Sequence, residues 1–138
     1  EKSVLDMGCG TGILSILAAK MKASSPVHAI DIDPTAVFSV RENAWKNRVH
    51  EKVDSRCGDA SLIQAGKYEI ILANINRNIL LQDMGTYSRG LISGGMLIIS
   101  GFYTQDLDML KEEAERCSLK YEYHLVKDNW VAAKFVKI

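Results

Sequence analysis

Three glycines stand at every second position near the start of the chain, Gly8, Gly10 and Gly12, between two apolar stretches. Glycine adopts backbone angles that are closed to other residues, and its missing side chain lets a ligand lie against the main chain. A helix that begins after such a loop presents free N–H groups and a partial positive charge. This arrangement is typical of a site for a nucleotide, or for a carboxylate carried by a nucleotide-like cofactor.

The spacing of the glycines distinguishes between classes of cofactor. Dinucleotide-binding turns follow G-x-G-x-x-G, and here Ile13 occupies the place of the third glycine. The observed pattern is G-x-G-x-G preceded by an acid, which resembles the first motif of class I S-adenosylmethionine-dependent methyltransferases. A tight structural turn without a ligand is the alternative. We expect the acid and the glycines of the motif to bind that cofactor, namely Asp6, Gly8, Gly10 and Gly12.

A second acidic position, Asp31, follows the next apolar stretch at residues 27–30. An acid at the end of the second strand can accept hydrogen bonds from the ribose hydroxyls of an adenosine. We therefore assign Asp31 to the ribose, with a solvated loop acid as the alternative. Asp33 precedes Pro34, and Asp at the N-cap with Pro at the first helical position is a helix-start signal. Asp33 is accordingly assigned to capping.

Two further strand ends carry candidate groups. Asp59 and Ala60 follow the predicted third strand, where the carboxylate can accept from an adenine amino group and the Ala60 N–H can donate to the ring; ordinary turn chemistry explains this pair equally well. Asn74 follows the apolar strand at residues 68–73. Open α/β sheets place chemistry at this edge. We expect Asn74 to contact the cofactor and to orient the acceptor, with an Asn that only turns the chain as the alternative.

The elements that must position these residues alternate regularly. Apolar runs predict strands at residues 4–7, 27–30, 53–57, 68–73 and 96–100. Helical periodicity predicts helices at residues 13–22, 34–47, 79–91 and 104–117. In the first helix, four apolar residues share one face and are expected to point inward, namely Leu14, Leu17, Ala18 and Met21.

The alternation of predicted strands and helices ends near the C-terminal end of the chain. Residues 119–127 and 130–138 are separated by the two-residue turn Asp128-Asn129, which makes them an antiparallel hairpin. The predicted fold is α/β: a Rossmann-like three-layer sandwich with a seven-stranded, mostly parallel sheet and a C-terminal antiparallel hairpin. This differs from the six parallel strands of a dehydrogenase.

The composition of the chain limits the number of domains, the kinds of partner and the cellular compartment that we expect. The 138 residues are enough for one domain, and 47% of them are hydrophobic. Seventeen basic and seventeen acidic residues balance, so direct nucleic-acid binding, which normally requires a basic surface, is not expected. Cys9, Cys57 and Cys117 are scattered without a CxxC, which indicates reduced thiols in a cytoplasmic protein and no metal site. No apolar run approaches the ~18 residues of a membrane span.

Several stretches together narrow the family. They are DMGCGTGILSI at residues 6–16, IDIDPTAV at residues 30–37, ENA at residues 42–44, LANI at residues 72–75, SGG at residues 93–95, SG at residues 100–101 and NWV at residues 129–131. With them the whole chain resembles the catalytic domain of the bacterial methyltransferases that modify protein eleven of the large ribosomal subunit.

The resemblance implies S-adenosylmethionine as cofactor, with Gly8, Asp31 and Asn74 in its site. It implies methyl transfer to amino groups of the ribosomal protein, on lysine side chains or the N-terminus. It also implies that residues 1–138 are a single catalytic domain, the C-terminal part of a longer protein whose N-terminal domain grips the substrate.

Other functions remain open from the residues alone. They are methylation of a small molecule or an RNA, an NAD-linked reaction, which Ile13 and the hairpin disfavour, and a non-catalytic Rossmann-like binding domain. None of the three histidines lies at a predicted strand end facing the cofactor, so water is expected to take the proton from an amine acceptor. Three aromatic residues can line the site or pack in the core, Phe102, Tyr103 and Trp130.

Overall fold

Strands and helices alternate through most of the chain, which a computed structural model describes over residues 1–138. The strands are β1 (Val4–Met7), β2 (Val27–Asp31), β3 (Val53–Cys57), β4 (Tyr68–Asn74), β5 (Leu91–Tyr103), β6 (Leu119–Lys127) and β7 (Trp130–Lys137). The helices are α1 (Ile13–Lys20), α2 (Pro34–Lys46), α3 (Arg77–Gly90) and α4 (Leu107–Arg116). Short 3-10 turns occupy residues 50–52, 60–62 and 104–106.

The strands form one seven-stranded sheet in the order β3-β2-β1-β4-β5-β7-β6. The first five strands pair in parallel, and β7 pairs antiparallel with both β5 and β6. The predicted fold class is confirmed. Because the strand order reverses between β1 and β4, the loops that follow these two strands diverge and leave a crevice at their carboxyl ends.

The main hydrophobic core lies between the sheet and α3 and α4. It contains 21 buried residues, among them Leu80, Met84 and Tyr87 on one face of α3 and Leu91 directly after the helix. A smaller cluster of six buried residues lies under α1 and α2 on the other face of the sheet. The sheet is therefore the middle of three layers, as predicted.

The predicted inner face of α1 is wrong. Leu17 is 51% exposed and Met21 is 73% exposed, while the helix packs on the sheet through Ser15, Ile16 and Ala19. Since α1 is apolar on nearly all sides, the helical period alone does not select the face that packs. The hydrogen bond from the Ser15 hydroxyl to the Asp6 carboxylate, at 2.7 Å, fixes the orientation instead.

Strand β5 is longer than predicted and is interrupted twice. The register along β4 moves from Tyr68–Leu91 to Ile70–Met96, so residues 93–95, which precede the predicted strand, form a bulge within the longer strand. A second irregularity lies between Ser100 and Phe102, against β7. Bulges bend a strand and redirect side chains. This second bulge directs the end of β5 toward the carboxyl edge of β4.

The β6–β7 hairpin closes as its sequence predicts. Asp128 and Asn129 have φ values of 50° and 69°, as a two-residue hairpin turn requires. This geometry pairs Lys127 with Trp130 at the turn. The hairpin thus brings the start of β7 beside the end of β5, where Tyr103 pairs with Trp130.

One half of a sheet face carries no helix. Ile70, Leu72 and Ile98, on the central strands β4 and β5, are only partly buried. With Val4 and Met21 they line an open apolar groove of about 620 Å³. Parallel strands are normally covered on both faces, so this groove is an unusual feature of the surface. Separately, the structure contains no helix with the length and apolar character needed to cross a bilayer.

Candidate functional site

The glycine loop after β1 adopts the conformation that its sequence requires. Gly8, Gly10 and Gly12 all have positive φ, at 73°, 55° and 88°. A Cβ at Gly8 would lie 2.7 Å from the side chain of Ile75, and one at Gly12 would lie 3.0 Å from that of Val40. A Cβ at Gly10 would meet no atom within 4 Å. Gly8 and Gly12 therefore pack against the protein, and Gly10 borders open space that a ligand can enter.

Asp31 is held against this loop. Its carboxylate accepts the Gly10 N–H at 3.0 Å through one oxygen and the Asp33 N–H at 2.9 Å through the other. Each carboxylate oxygen has a second lone pair, so both remain able to accept a ribose hydroxyl. Asp33 accepts from the Thr35 N–H at 2.9 Å and caps α2, with Pro34 at the first helical position, which confirms its assignment to capping.

Asp6 lies beneath the loop rather than on its open side. The residue is 1% exposed, and its carboxylate accepts the hydrogen bond from Ser15 in α1. Burial raises the pKa of the Asp6 carboxyl, with the hydrogen bonds from Ser15 acting in the opposite direction. This placement gives Asp6 no surface for the direct cofactor contact predicted for it. Its contribution is to fix the start of α1 behind the glycines.

The first turn of α1 faces the same loop. Gly12 is the N-cap residue in a left-handed conformation, and no side chain caps the helix. The free amides and the positive end of the helix dipole therefore remain available to an anionic group. Asn43 in α2, which sequence reasoning did not assign to the site, donates a hydrogen bond to the Thr11 carbonyl at 2.9 Å.

Asp59 and Ala60 follow β3 in a 3-10 turn. The Asp59 carboxylate accepts from the Ser61 N–H at 2.9 Å and from the Ser61 hydroxyl at 2.5 Å, and these bonds lower its pKa. The carboxylate is exposed and Ala60 is buried in the main core cluster. Turn chemistry thus accounts for the conformation of Asp59, and the adenine contact stays a prediction.

Asn74 ends β4 at the crevice and pairs with Ser100 of β5. Its position depends on Gly101, because a Cβ at Gly101 would lie 2.6 Å from the Asn74 Oδ1 atom. Gly101 has a φ of 91° and sits in the second bulge of β5. Neither Gly101 nor Ile75, which packs under Gly8, was predicted as part of the site. Gly101 carried a signal, since a glycine directly after a buried strand often marks a close approach.

The aromatic residues at this edge divide into two groups. Phe102 is 1% exposed and packs in the core, which is one of the two alternatives given for it above. Tyr103 and Trp130 are partly exposed and their rings stack with centroids 4.4 Å apart. Trp130 and Asn74 line one cavity of about 480 Å³ at the carboxyl edge of β4 and β5.

Each histidine contacts an aromatic side chain, and none of the three lines the cavity beside Asn74. Ring nitrogens of two histidines lie 2.5 Å from tyrosine hydroxyls, in the pairs His28–Tyr68 and His124–Tyr121. The His50 ring meets the Trp45 indole edge to face, with ring centroids 3.7 Å apart. Burial lowers the pKa of His28, in keeping with a structural role. The 138 residues contain no cluster of His, Cys, Asp or Glu able to hold a metal ion.

The arrangement fits an adenosine that carries a charged tail. An acid is held beside a loop with open space, an uncapped helix begins behind it, and polar groups follow β3 and β4. The Asp31 carboxylate suits a ribose, and the α1 amides suit a carboxylate. A group at Asn74 would lie at the far end of the same crevice, beside the cavity that Trp130 lines.

Comparison with known proteins gives a consistent result. The profile of the family described as ribosomal protein L11 methyltransferase (PrmA) matches residues 1–137. A ribosomal protein L11 methyltransferase from Porphyromonas gingivalis is 50% identical over 133 residues, which are 96% of this chain and 45% of that protein. The protein of the same name from Phocaeicola vulgatus is 45% identical over 136 residues, or 98% of this chain and 48% of that protein.

A solved structure agrees with these relatives. The ribosomal protein L11 methylase from Lactobacillus delbrueckii subsp. bulgaricus superposes with a TM-score of 0.91 at 27% identity, over 99% of this chain and 71% of that one. The chain spans about half the length of the curated relatives it matches.

Proposed function

The chain belongs to the ribosomal protein L11 methyltransferase family, and from that premise we propose that it binds S-adenosylmethionine and transfers methyl groups to amino groups of ribosomal protein L11. The acceptors are lysine side chains or the N-terminus. One structural observation carries the proposal: the glycine loop, Asp31 and Asn74 lie at the carboxyl ends of the neighbouring strands β1, β2 and β4. Asp31 accepts the Gly10 N–H, and Gly8 packs against Ile75, the residue after Asn74. Membership of this family also removes the NAD-linked alternative.

Five groups of the chain would hold the cofactor. Asp31 would accept hydrogen bonds from the ribose hydroxyls, and the amides at the start of α1 would receive the carboxylate of the methionine part. Asp59 would accept from the adenine amino group, and the Ala60 N–H would donate to the ring. Gly10 would let the ligand approach the main chain, since no atom lies within 4 Å of where its Cβ would be.

Bound S-adenosylmethionine supplies a methyl carbon already activated by a sulfonium, so the amine nitrogen forms the new N–C bond while the electron pair of the broken C–S bond stays on sulfur. The remaining task of the chain is to hold the acceptor in line, which contributes up to roughly 7–11 kcal/mol in ideal cases. Asn74 would orient the nitrogen through its side-chain oxygen. A lysine, with a pKa of ~10.4, must lose a proton to react, and no histidine is placed to take it, which leaves water as the acceptor.

Residues 1–138 would form the single catalytic domain of a longer protein, as its C-terminal part. The matched relatives are about twice as long as this chain. The open groove lined by Ile70, Leu72 and Ile98 offers a surface against which another segment can pack. In this proposal the additional N-terminal domain grips L11, and direct nucleic-acid binding is not needed. A ribosomal substrate and three free cysteines are consistent with a cytoplasmic protein.

Calorimetric titration with S-adenosylhomocysteine, and with NAD as control, tests the proposal. Asp31→Ala should weaken binding of S-adenosylhomocysteine by about 1–3 kcal/mol because the ribose loses its acceptors. Asp54→Ala is the matched control, because Asp54 lies on the neighbouring strand and pairs with Arg56 at the surface. Binding of NAD in preference, or equal effects of the two substitutions, would contradict the proposal.

A further inference from the structure

The cavity beside Asn74 has a built wall. The hairpin contributes Leu125, Val126 and Trp130, and β5 contributes Ser100 and Gly101 at its bulge. Its volume is about 480 Å³. Leu125 shares one face of the sheet with Ala132, Ser100 and Asn74, to which the strand pairing connects it row by row. Its large apolar side chain is more than half exposed, which is costly for a surface without a ligand.

Hydrogen bonding and strand pairing fix the position of Trp130. Tyr103 pairs with Trp130 across β5 and β7, and their rings stack. The Thr104 N–H donates to the Asn129 carbonyl at 3.2 Å, which ties the hairpin turn to the end of β5. The indole is therefore held at the mouth of the cavity by both neighbouring strands, rather than being a mobile surface side chain.

The cavity adjoins the end of the cofactor crevice. Asn74 lines it, and the Asn74 Oδ1 atom stands against Gly101, which also lines it. A side chain that enters between Leu125 and Trp130 thus reaches the amide that the proposed reaction needs.

The lining has a distinctive chemistry. Its walls are mainly apolar, its aromatic residue is Trp130, and its one charged residue is Lys127. Apolar walls suit an unbranched hydrocarbon stem, and an indole face attracts an ammonium or methylated ammonium head. A carboxylate would raise the pKa of an amine by stabilising its charged form, and the lining contains none. The head group is therefore not locked in its unreactive protonated state.

We propose that this cavity, walled by Leu125 and Trp130 and ending at Asn74, is the channel that receives the acceptor lysine side chain. The inference rests on the proposed function and adds the residues that select the substrate. Leu125 contacts the four-carbon stem, Trp130 contacts the head group, and Asn74 accepts a hydrogen bond from the amine. Trp130 and Leu125 are then specificity-determining residues of the hairpin.

The indole N–H signals in a proton–nitrogen NMR spectrum report on this channel directly. The chain has two tryptophans, Trp130 in the channel and Trp45 on α2, so Trp45 serves as an internal control in the same spectrum. Nα-acetyl-lysine amide is titrated to 50 mM with and without S-adenosylhomocysteine. Nα-acetyl-norleucine amide, which has the same stem without the amine, is titrated in parallel.

The expected result is a saturable shift of the Trp130 signal with no comparable shift of Trp45. The norleucine compound should bind at least fivefold more weakly, because it cannot donate to Asn74. Leu125→Gln should weaken binding of the lysine compound at least fivefold, while Leu17→Gln, a matched change at an exposed leucine of α1, should leave it unchanged.

Three outcomes would contradict the proposed channel. They are no shift of the Trp130 signal, equal shifts of both indole signals, and binding of the norleucine compound as tight as that of the lysine compound. The third outcome would indicate a general apolar docking surface. A separate failure can be recognised in the same samples. If the lysine compound binds as expected but S-adenosylhomocysteine does not, the result supports the lysine channel and contradicts the proposed methyl transfer.

Discussion

Asn74 reaches the crevice only because Gly101 leaves room for its amide. Replacing Asn74 with Ala should lower the rate of L11 methylation by about tenfold to a hundredfold, since a poorly oriented acceptor reacts slowly. Steady-state methylation with labelled S-adenosylmethionine measures this. Asn78→Ala, at an exposed position of α3, is the control and should keep the original rate. An unchanged rate in Asn74→Ala would remove this residue from the mechanism.

The burial of the Asp6 carboxyl leads to a prediction about stability rather than activity. Its folded-state pKa is raised by burial above 3.8, so the folded state favours the protonated form. The stabilisation from this group is complete below the unfolded pKa and is lost as pH rises through the folded pKa. Asp6→Asn keeps an acceptor for Ser15 without the charge.

The variant should therefore have a free energy of unfolding at pH 7.5 at least equal to that of the original chain. Its stability should also fall less as pH rises from about 4 toward neutrality. Urea unfolding at pH 4 and pH 7.5 measures both quantities, with Asp54→Asn, at a surface ion pair, as control. A uniform loss of stability at both pH values would show that the charged hydrogen bond to Ser15 dominates instead.

The backbone of the glycine loop can be tested by comparing the same substitution at Gly10, in the loop, and at Gly66, outside it. Gly10 and Gly66 both have positive φ and both border open space, but only Gly10 lies in the proposed site. Each change to Ala should destabilise the fold by about 1–2 kcal/mol through the left-handed backbone. Only Gly10→Ala should weaken binding of S-adenosylhomocysteine, which thermal unfolding and calorimetry measure together. Equal binding by both variants would mean that the ligand does not approach the main chain at Gly10.

Strands and the hairpin were predictable because their signals are local. Buried parallel strands appear as continuous apolar runs, and the two-residue turn at Asp128-Asn129 fixes the hairpin. The inner face of α1 and the two bulges of β5 were not predictable, because they depend on contacts between distant residues. Ser15 turns α1 toward Asp6, and the pairing of β5 with β4 and β7 leaves Gly101 outside the regular ladder.

The residues of the candidate site were likewise only partly predictable from the sequence. Its glycines and Asp31 were visible in the sequence because spacing and strand ends mark them. Ile75, Asn43 and Gly101 were not assigned, since their roles are to pack against or hold groups far away in the chain. Motif spacing therefore locates a site of this kind, and tertiary contacts supply the residues that shape it.

In the molecule as a whole, the topology of the sheet places the proposed site residues at one edge, the carboxyl ends of the parallel strands. The strand order reverses between β1 and β4, which opens the crevice between the glycine loop and Asn74. The groove formed by Ile70, Leu72 and Ile98 lies on a sheet face near α1, and is the surface we assign to another domain. The groove and the cavity beside Asn74 adjoin on the same face of the sheet, because Leu72 and Asn74 are two residues apart on β4, and Ile98 and Ser100 are two apart on β5.

Backbone amide shifts in a proton–nitrogen NMR spectrum, recorded during titration with S-adenosylhomocysteine, test the location of the cofactor site most directly. We expect the largest shifts on the glycine loop, on the ends of β2 and β3, and at the end of β4, with Gly10, Asp31, Ala60 and Asn74 among them. The amide signals of Ile70, Leu72 and Ile98 in the apolar groove should not shift. Shifts confined to that groove, or no shifts at saturating ligand, would contradict this location of the cofactor site.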